Sequence, residues 1–273
     1  LEDNAVGLDV SIEDVSDSIA ALALQGPNSR DVLSAAADGA ARDLRFFRMT
    51  RASIGGAPVT ITRTGYTGDL GYEIWADASH AESLWDALMD AGEPFSILPT
   101  GLLALDAARI EAGLILIGVD YVSARQAVIE DRKTSPFELG LGWTVKLSKK
   151  QFVGRRALCA EHERGPQWQL KGLEVGWDSL EELYGAFGLP PQLPAEPWRT
   201  SVPVYGSGKQ VGYATSGCWS PLLKKYIALA HLRAGHCATG TNLRMEVTVE
   251  HQRRQANAVV VDMPFFNPDR KRA

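Results

Sequence analysis

Apolar and polar positions recur with two different periods along this chain, and each change of period marks an element boundary. Ile19–Gln25 is a short apolar run stopped by Gly26-Pro27, which predicts a strand. Asn28 then opens a segment with Val32, Leu33 and Ala36 on one face, the spacing of a helix. Residues 50–54 and 58–62 flank Gly55-Gly56, and paired glycines tolerate the positive φ of a tight turn, so a hairpin is expected. Further on, Ser79 and Glu82 read as a capping box ahead of Leu84, Trp85 and Leu88, with Gly92 as the stop. A second helix is predicted over residues 102–112, capped by Thr100 and closed by Gly113.

The second half of the chain reads differently. Residues 122–135 are polar and form a crossover loop, and residues 136–146 lead back into a strand through Gly140, Gly142 and Trp143. Residues 177–197, rich in proline, leucine and acidic groups, read as an inserted excursion over the surface. After them come short alternating runs at 202–205, 210–216, 226–232, 243–250 and 256–261, with Arg253-Arg254 at the turn into the last. Several short strands separated by turn signals make a small barrel or a sandwich. The hairpin argues against an all-parallel sheet in the first half, so the fold class is α+β. The domains expected are 1–146 and 147–273, the second carrying the insertion near 177–197.

A glycine-rich loop lies between strands, since residues 58–62 alternate before it and residues 73–75 resume strand-like character after it. Residues 63–75 read R-T-G-Y-T-G-D-L-G-Y-E-I-W, with Gly65, Gly68 and Gly71 interleaved with Tyr66, Tyr72 and Glu73. A backbone free to bend, two aromatic rings and a carboxylate suit a flat, hydrogen-bonding ligand. A phosphate-cradling loop is not indicated, because the lysine of that motif and the G-x-G-x-x-G spacing before a helix are both missing.

Composition narrows the classes. The chain has 273 residues, is 45% hydrophobic and carries a formal charge of -5, which gives no reason to expect nucleic acid or an anionic membrane as partner. No run approaches the ~20 apolar residues of a membrane span and no signal-peptide pattern precedes the first strand, so a cytoplasmic location is expected. Cys159, Cys218 and Cys237 lie far apart with no C-x-x-C spacing, and the five histidines show no ligand spacing, so neither a disulfide framework nor a metal site is predicted. Cys218 lies beside Trp219, but no base is arranged near it in sequence, and no nucleophile is assigned.

Taken together, six stretches resemble the aminomethyltransferase family typified by the glycine-cleavage T-protein, which also includes folate-dependent demethylases and domains fused to sarcosine and dimethylglycine dehydrogenases. They are L-A-L-Q-G-P-N-S from Leu22, the loop from Arg63, R-I-E-A-G-L from Arg109, S-P-F-E-L-G-L-G-W from Ser135, F-V-G-R-R-A-L from Phe152, and T-S-G-C-W-S-P-L-L-K-K-Y-I-A-L-A from Thr215. The resemblance covers nearly the whole chain in the family's order. It implies lobes of mixed sheet and helix around a central hole that holds tetrahydrofolate, followed by a C-terminal β-barrel. It also implies transfer of an aminomethyl or methyl group to the folate from a small molecule or a lipoyl-bearing partner protein. Glu73 matches the glutamate that bonds the pterin's amino-pyrimidine edge and Tyr66 the loop tyrosine beside the folate. Trp143 matches a pocket-side tryptophan, Trp219 an aromatic of the S-G-x-x-S-P turn, and Arg109 a family arginine that an i, i+3 pair with Asp106 also explains. No catalytic residue is assigned.

Two departures matter. The T-protein has A-R-D where this chain has Ala104-Leu105-Asp106, so Leu105 replaces an arginine that helps hold the pterin. The family also carries roughly a hundred residues ahead of L-A-L-Q-G-P, a large part of one domain, including the aspartate thought to steer the transfer. On this resemblance Leu1 falls downstream of that segment. Three readings follow: a one-carbon transferase or demethylase, a folate-binding module without transfer activity, and the folate domain of a larger flavoprotein.

Overall fold

The computed structural model describes residues 5–273, which divide into two compact units: residues up to Pro99 together with Pro268–Ala273, and Thr100–Asn267. The first unit is built on an antiparallel sheet of β1 (Ile19–Gln25), β2 (Met49–Ile54), β3 (Ala57–Thr62) and β4 (Gly71–Asp77), in the order β1-β4-β3-β2. Helices α1 (Ser29–Ala36) and α2 (Ala81–Gly92) belong to the same unit. Leu24, Ile54, Ile61, Tyr72 and Ile74 pack with Val32, Leu33, Leu84 and Leu88 of the helices in one buried cluster. Covering one face of a sheet demands alternation, and β4 obeys it: Tyr72, Ile74 and Ala76 are buried, while Glu73, Trp75 and Asp77 between them are not.

The expected capping box does not form. Asp77 accepts the Ser79 amide at 2.9 Å and its hydroxyl at 2.5 Å, capping a 3-10 turn at Ala78–His80, and α2 starts only at Ala81. A carboxylate two residues upstream is the stronger acceptor, so the Ser79 proton goes there.

The second unit contains α3 (Leu102–Glu111), α4 (Arg155–Arg164), β5 (Trp168–Val175), α5 (Trp177–Gly185), β6 (Val202–Gly206), β7 (Lys209–Ser220), β8 (Lys225–Arg233), β9 (Asn242–Val249) and β10 (Gln252–Val261). The strands close a barrel in the order β10-β5-β8-β7-β6-β9, which settles barrel against sandwich. Its interior is filled by Leu173, Val204, Ala230, Met245, Ala258, Val260 and their neighbours. Ile110 of α3 joins Leu170, Cys218, Ile227 and Leu229 in a separate buried cluster. That second cluster explains why β8 is buried without a break from Tyr226 to Leu232, a strand covered on both faces.

Several expectations for this unit need correcting. Residues 177–197 do not simply run over the surface: they begin with α5, whose Leu180 is fully buried in the barrel core and whose Ser179 hydroxyl accepts the Asn257 amide at 3.0 Å. Residues 136–146 form turns and a 3-10 turn at Gly142–Thr144 instead of a strand, because local bonds such as Leu141 amide to Pro136 carbonyl use up the backbone groups. Thr100 does not cap α3; Gly101 occupies the cap position with no side-chain bond. Arg253 and Arg254 lie inside β10, and the turn falls one step earlier at Glu250 and His251, both with positive φ.

Candidate functional site

In the first unit the β3–β4 loop is folded around one side chain, Gln25, at the end of β1. Its Nε2 donates to the Tyr72 carbonyl at 3.2 Å and, more weakly, to that of Thr64 at 3.4 Å; its Oε1 accepts the Thr67 hydroxyl at 3.0 Å. The same contact accounts for two glycines, since a Cβ at Gly65 or Gly71 would stand 2.1 Å from Gln25 Oε1. The next turn is tied down as well, the Leu70 carbonyl accepting from the Gly26 amide and the Ser29 hydroxyl.

Glu73 leaves this loop on the face of β4 turned away from the core, half-buried, opposite Thr62 on β3 and Ala23 on β1. The Thr64 hydroxyl donates to its Oε2 in a short bond, and the Thr62 hydroxyl lies 3.4 Å from the same oxygen. Among the described residues, no hydrogen bond reaches Oε1. The carboxylate is thus held at one oxygen and open at the other, the state of an acceptor ready for a donor edge. Tyr66 is half-buried on the same loop.

The other three predicted residues lie in the second unit and do not share one pocket there. Arg109 is 1% exposed, its Nε 2.8 Å from Asp106 Oδ1 and its Nη1 in a short bond to Asp120 Oδ2. Asp106 also takes Arg199 Nε at 2.8 Å. Asp120 accepts the Thr215 and Ser216 hydroxyls at 2.6 and 2.7 Å and the Leu116 amide at 2.8 Å. Trp219 packs on Trp177 with ring centroids 5.2 Å apart, and both line a cavity of 580 Å³ with Leu103, Ala104 and Ala107 of α3. Trp143 is 79% exposed and does not line that cavity. Leu105, half-buried, stands one residue before Asp106.

Cys218 is buried, and burial, with the Glu111 and Asp106 charges behind it, pushes its thiol up to about 12, so it stays protonated and is no nucleophile. Among the described residues no cluster of His, Cys, Asp and Glu is placed to hold a metal ion, and no helix is long and apolar enough to cross a membrane.

Gln25 sits inside the matched stretch L-A-L-Q-G-P and Asp120 in G-V-D-Y, Gly118–Tyr121, outside the six stretches, and nothing in the sequence assigns either of them these roles. For Gln25 a signal existed: a polar residue closing an apolar strand, with glycines elsewhere that require something to approach closely.

Comparison with known proteins agrees with this architecture. Residues 1–149 match the GCVT N-terminal domain and residues 187–267 the glycine cleavage T-protein C-terminal barrel domain. The aminomethyltransferase of Halothermothrix orenii is 37% identical over 251 residues, covering 92% of this chain and 62% of that protein. The trimethylamine-oxide aldolase of Ruegeria pomeroyi is 35% identical over 277 residues, covering 98% of this chain and 32% of its own length. The crystal structure of glycine cleavage system aminomethyltransferase T from Bartonella henselae superposes with a TM-score of 0.75 at 25% identity, over 97% of this chain and 64% of that one. The chain therefore spans 62% of the length of the first of these relatives. With both family domains matched in order along the chain and the barrel closed, the chain belongs to the glycine-cleavage T-protein family.

Proposed function

We propose that this chain holds tetrahydrofolate for transfer of a one-carbon unit, aminomethyl or methyl, within a transferase of the T-protein type. The observation that carries the reading is Glu73. Its Oε2 is fixed by threonine hydroxyls and its Oε1 has no bond among the described residues, so the group fits the paired N–H donors of a pterin's amino-pyrimidine edge. Tyr66 on the same loop offers a ring for the flat heterocycle. When bound, tetrahydrofolate supplies a nucleophilic amine that accepts the one-carbon unit.

The chain's own residues bind and orient in this reading. Glu73 fixes the heterocycle's rotation, because only one edge presents adjacent donors to a carboxylate. In the second unit, Asp106 and Asp120 hold the Arg109 guanidinium out of solvent. The one-carbon donor is a small molecule or a lipoyl-bearing protein, and the setting is cytoplasmic, in keeping with the free Cys159, Cys218 and Cys237.

Leu105 favours one branch of this reading. An apolar side chain in place of a guanidinium removes a charge-assisted donor, which distinguishes this chain from the plain glycine-cleavage pattern. The branch it favours has a methyl donor and makes the chain the folate-holding part of a larger demethylase, and the long trimethylamine-oxide aldolase relative is consistent with it.

Titration calorimetry with tetrahydrofolate tests the reading. The chain binds, and Glu73→Ala weakens binding by about 1–3 kcal/mol, the cost of leaving the ligand's donors unpaired. Equal affinity in parent and variant would remove Glu73 from the site.

A further inference from the structure

The six residues Pro268–Ala273 return to the first unit, and what they touch there is the candidate ligand loop. Arg270 grips Asp69 in a two-point pair, Nε to Oδ1 at 2.6 Å and Nη2 to Oδ2 at 2.7 Å. Asp69 lies inside the loop, and its Oδ1 also accepts the Leu70 amide at 2.6 Å. Arg63, the residue that opens the loop, is buried and donates from Nη1 to the Leu44 carbonyl at 2.9 Å. Its Nη2 reaches the Ala273 oxygen at 2.5 Å and, at 3.4 Å each, the carbonyls of Arg270 and Lys271. Arg30 of α1 donates to the same Ala273 oxygen at 2.8 Å.

The tail is therefore fastened at both ends of one short stretch, before Thr64 and after Gly68. A glycine-rich loop has many conformations to lose, so whatever restricts it before a ligand arrives lowers the entropy cost of binding. The Gln25 contacts restrict it from the β1 side. Arg270 and Arg63 restrict it from the other. A fork-to-fork arginine–carboxylate pair fixes direction as well as distance, which a single hydrogen bond does not.

We propose that Pro268–Ala273 is a clasp that pre-shapes the loop carrying Tyr66 and leading into Glu73, with Arg270 and Asp69 as positioning residues for the ligand held there. The ligand arm of this proposal rests on the tetrahydrofolate reading given above; the clasp itself rests only on the contacts. Its partner chemistry is internal, an arginine from one end of the chain and an aspartate from the loop.

Arg270→Gln and Asp69→Asn test it, singly and together, in the full chain. Asp69→Asn keeps an oxygen for the Leu70 amide while ending the ion pair. Amide hydrogen exchange of residues 64–70 without ligand, taken as a ratio to exchange in β8, rises about threefold in each variant and no further in the double variant, the scale of a partly exposed ion pair. Tetrahydrofolate affinity falls by a similar factor in all three. Unchanged loop exchange, or effects of the two substitutions that simply add, overturns the clasp. A looser loop with undiminished affinity, in a parent that binds tetrahydrofolate, also overturns it. Should the parent not bind tetrahydrofolate, the folate reading fails by that fact and the exchange ratio alone decides the clasp.

Discussion

Two sets of carboxylates in this molecule are built to opposite designs. Asp106 and Asp120 in the second unit are almost wholly buried and their oxygens are saturated: Arg109 and Arg199 on one, Arg109, two hydroxyls and a backbone amide on the other. Glu73 in the first unit is half-buried, with both threonine hydroxyls on one oxygen and none of the described residues on the other. A saturated buried acid has no capacity left for a ligand, and removing it strands every group that pointed to it. An acid anchored at one oxygen has spare capacity, and its anchor keeps that capacity aimed. The contrast separates residues that hold the fold from residues free to hold something else, although both kinds fall within residues 1–149, which match the GCVT N-terminal domain.

The strongest way to break this comparison is at Asp120. Asp120→Ala leaves Arg109 with Asp106 and the Leu114 carbonyl only, and removes the acceptor of Thr215, Ser216 and the Leu116 amide. Loss of one partner from such a buried pair costs about 3–5 kcal/mol, so the urea midpoint of this unit drops steeply. Asp120→Asn retains an acceptor oxygen and recovers part of the loss. A variant as stable as the parent would mean the network is decoration.

A smaller effect is expected where Gln25 organises the loop. Gly71→Ala puts a methyl 2.1 Å from Gln25 Oε1, and overpacking of that kind costs about 1–3 kcal/mol. Gln25→Ala in the same chain makes room for the methyl, so the double variant is more stable than the sum of the two single losses predicts. Strict additivity, measured by denaturant unfolding, would show that the side chain and the glycine do not meet.

How much of this was legible depended on whether a residue's role is local. Hydrophobic period and paired glycines located β1–β4 and the helices α1–α3 within a few residues, because those signals act over one turn or one strand. Strand β5 was not anticipated: in W-Q-L-K-G-L-E-V the alternation is broken at Gly172-Leu173, two adjacent buried positions. Helix α5 hid behind the prolines that follow it, and only its buried Leu180 gives away its packing. In the candidate site, Tyr66 and Glu73 stood out by composition, and the family resemblance is what suggests a ligand for them. The arrangement of Gln25, Asp69 and Arg270 spans 245 positions of chain, from 25 to 270, and no local pattern carries such a contact. Arg109 shows the limit from the other side, since its i, i+3 spacing from Asp106 was readable and Asp120 was not.

A pH scan probes the saturated network more gently. His231 on β8 donates from Nε2 to the Asp120 carbonyl at 2.7 Å and stacks on Tyr213 with centroids 5.2 Å apart. Burial holds its pKa below the usual 6.5, against the opposing pull of the Asp120 bond and charge. A base depressed in the folded state contributes stability that is complete above the unfolded pKa and is lost as pH falls through the folded one. The urea midpoint therefore declines as pH drops below about 6.5, where carboxylates are still ionised. His231→Gln, which can still donate to the carbonyl but cannot titrate, flattens that decline. An identical slope in the variant would place the acid sensitivity elsewhere.

The smallest expected effect is the most discriminating. Glu73→Ala leaves Thr62 and Thr64 without their carboxylate, but both are half-buried at the open face of the sheet, where water can take over the bond. Their hydroxyls also lie 2.7 Å from each other, so one can donate to the other. Neither a cavity nor a stranded charge results, and folding stability changes by no more than about 0.5 kcal/mol, the range of ordinary surface substitutions. Ligand affinity and stability thus part company at Glu73, whereas at Asp120 stability falls first. A urea midpoint at Glu73→Ala lowered as far as at Asp120→Ala would show that the open oxygen of Glu73 is in use by the fold, and the distinction between the two kinds of acid would collapse.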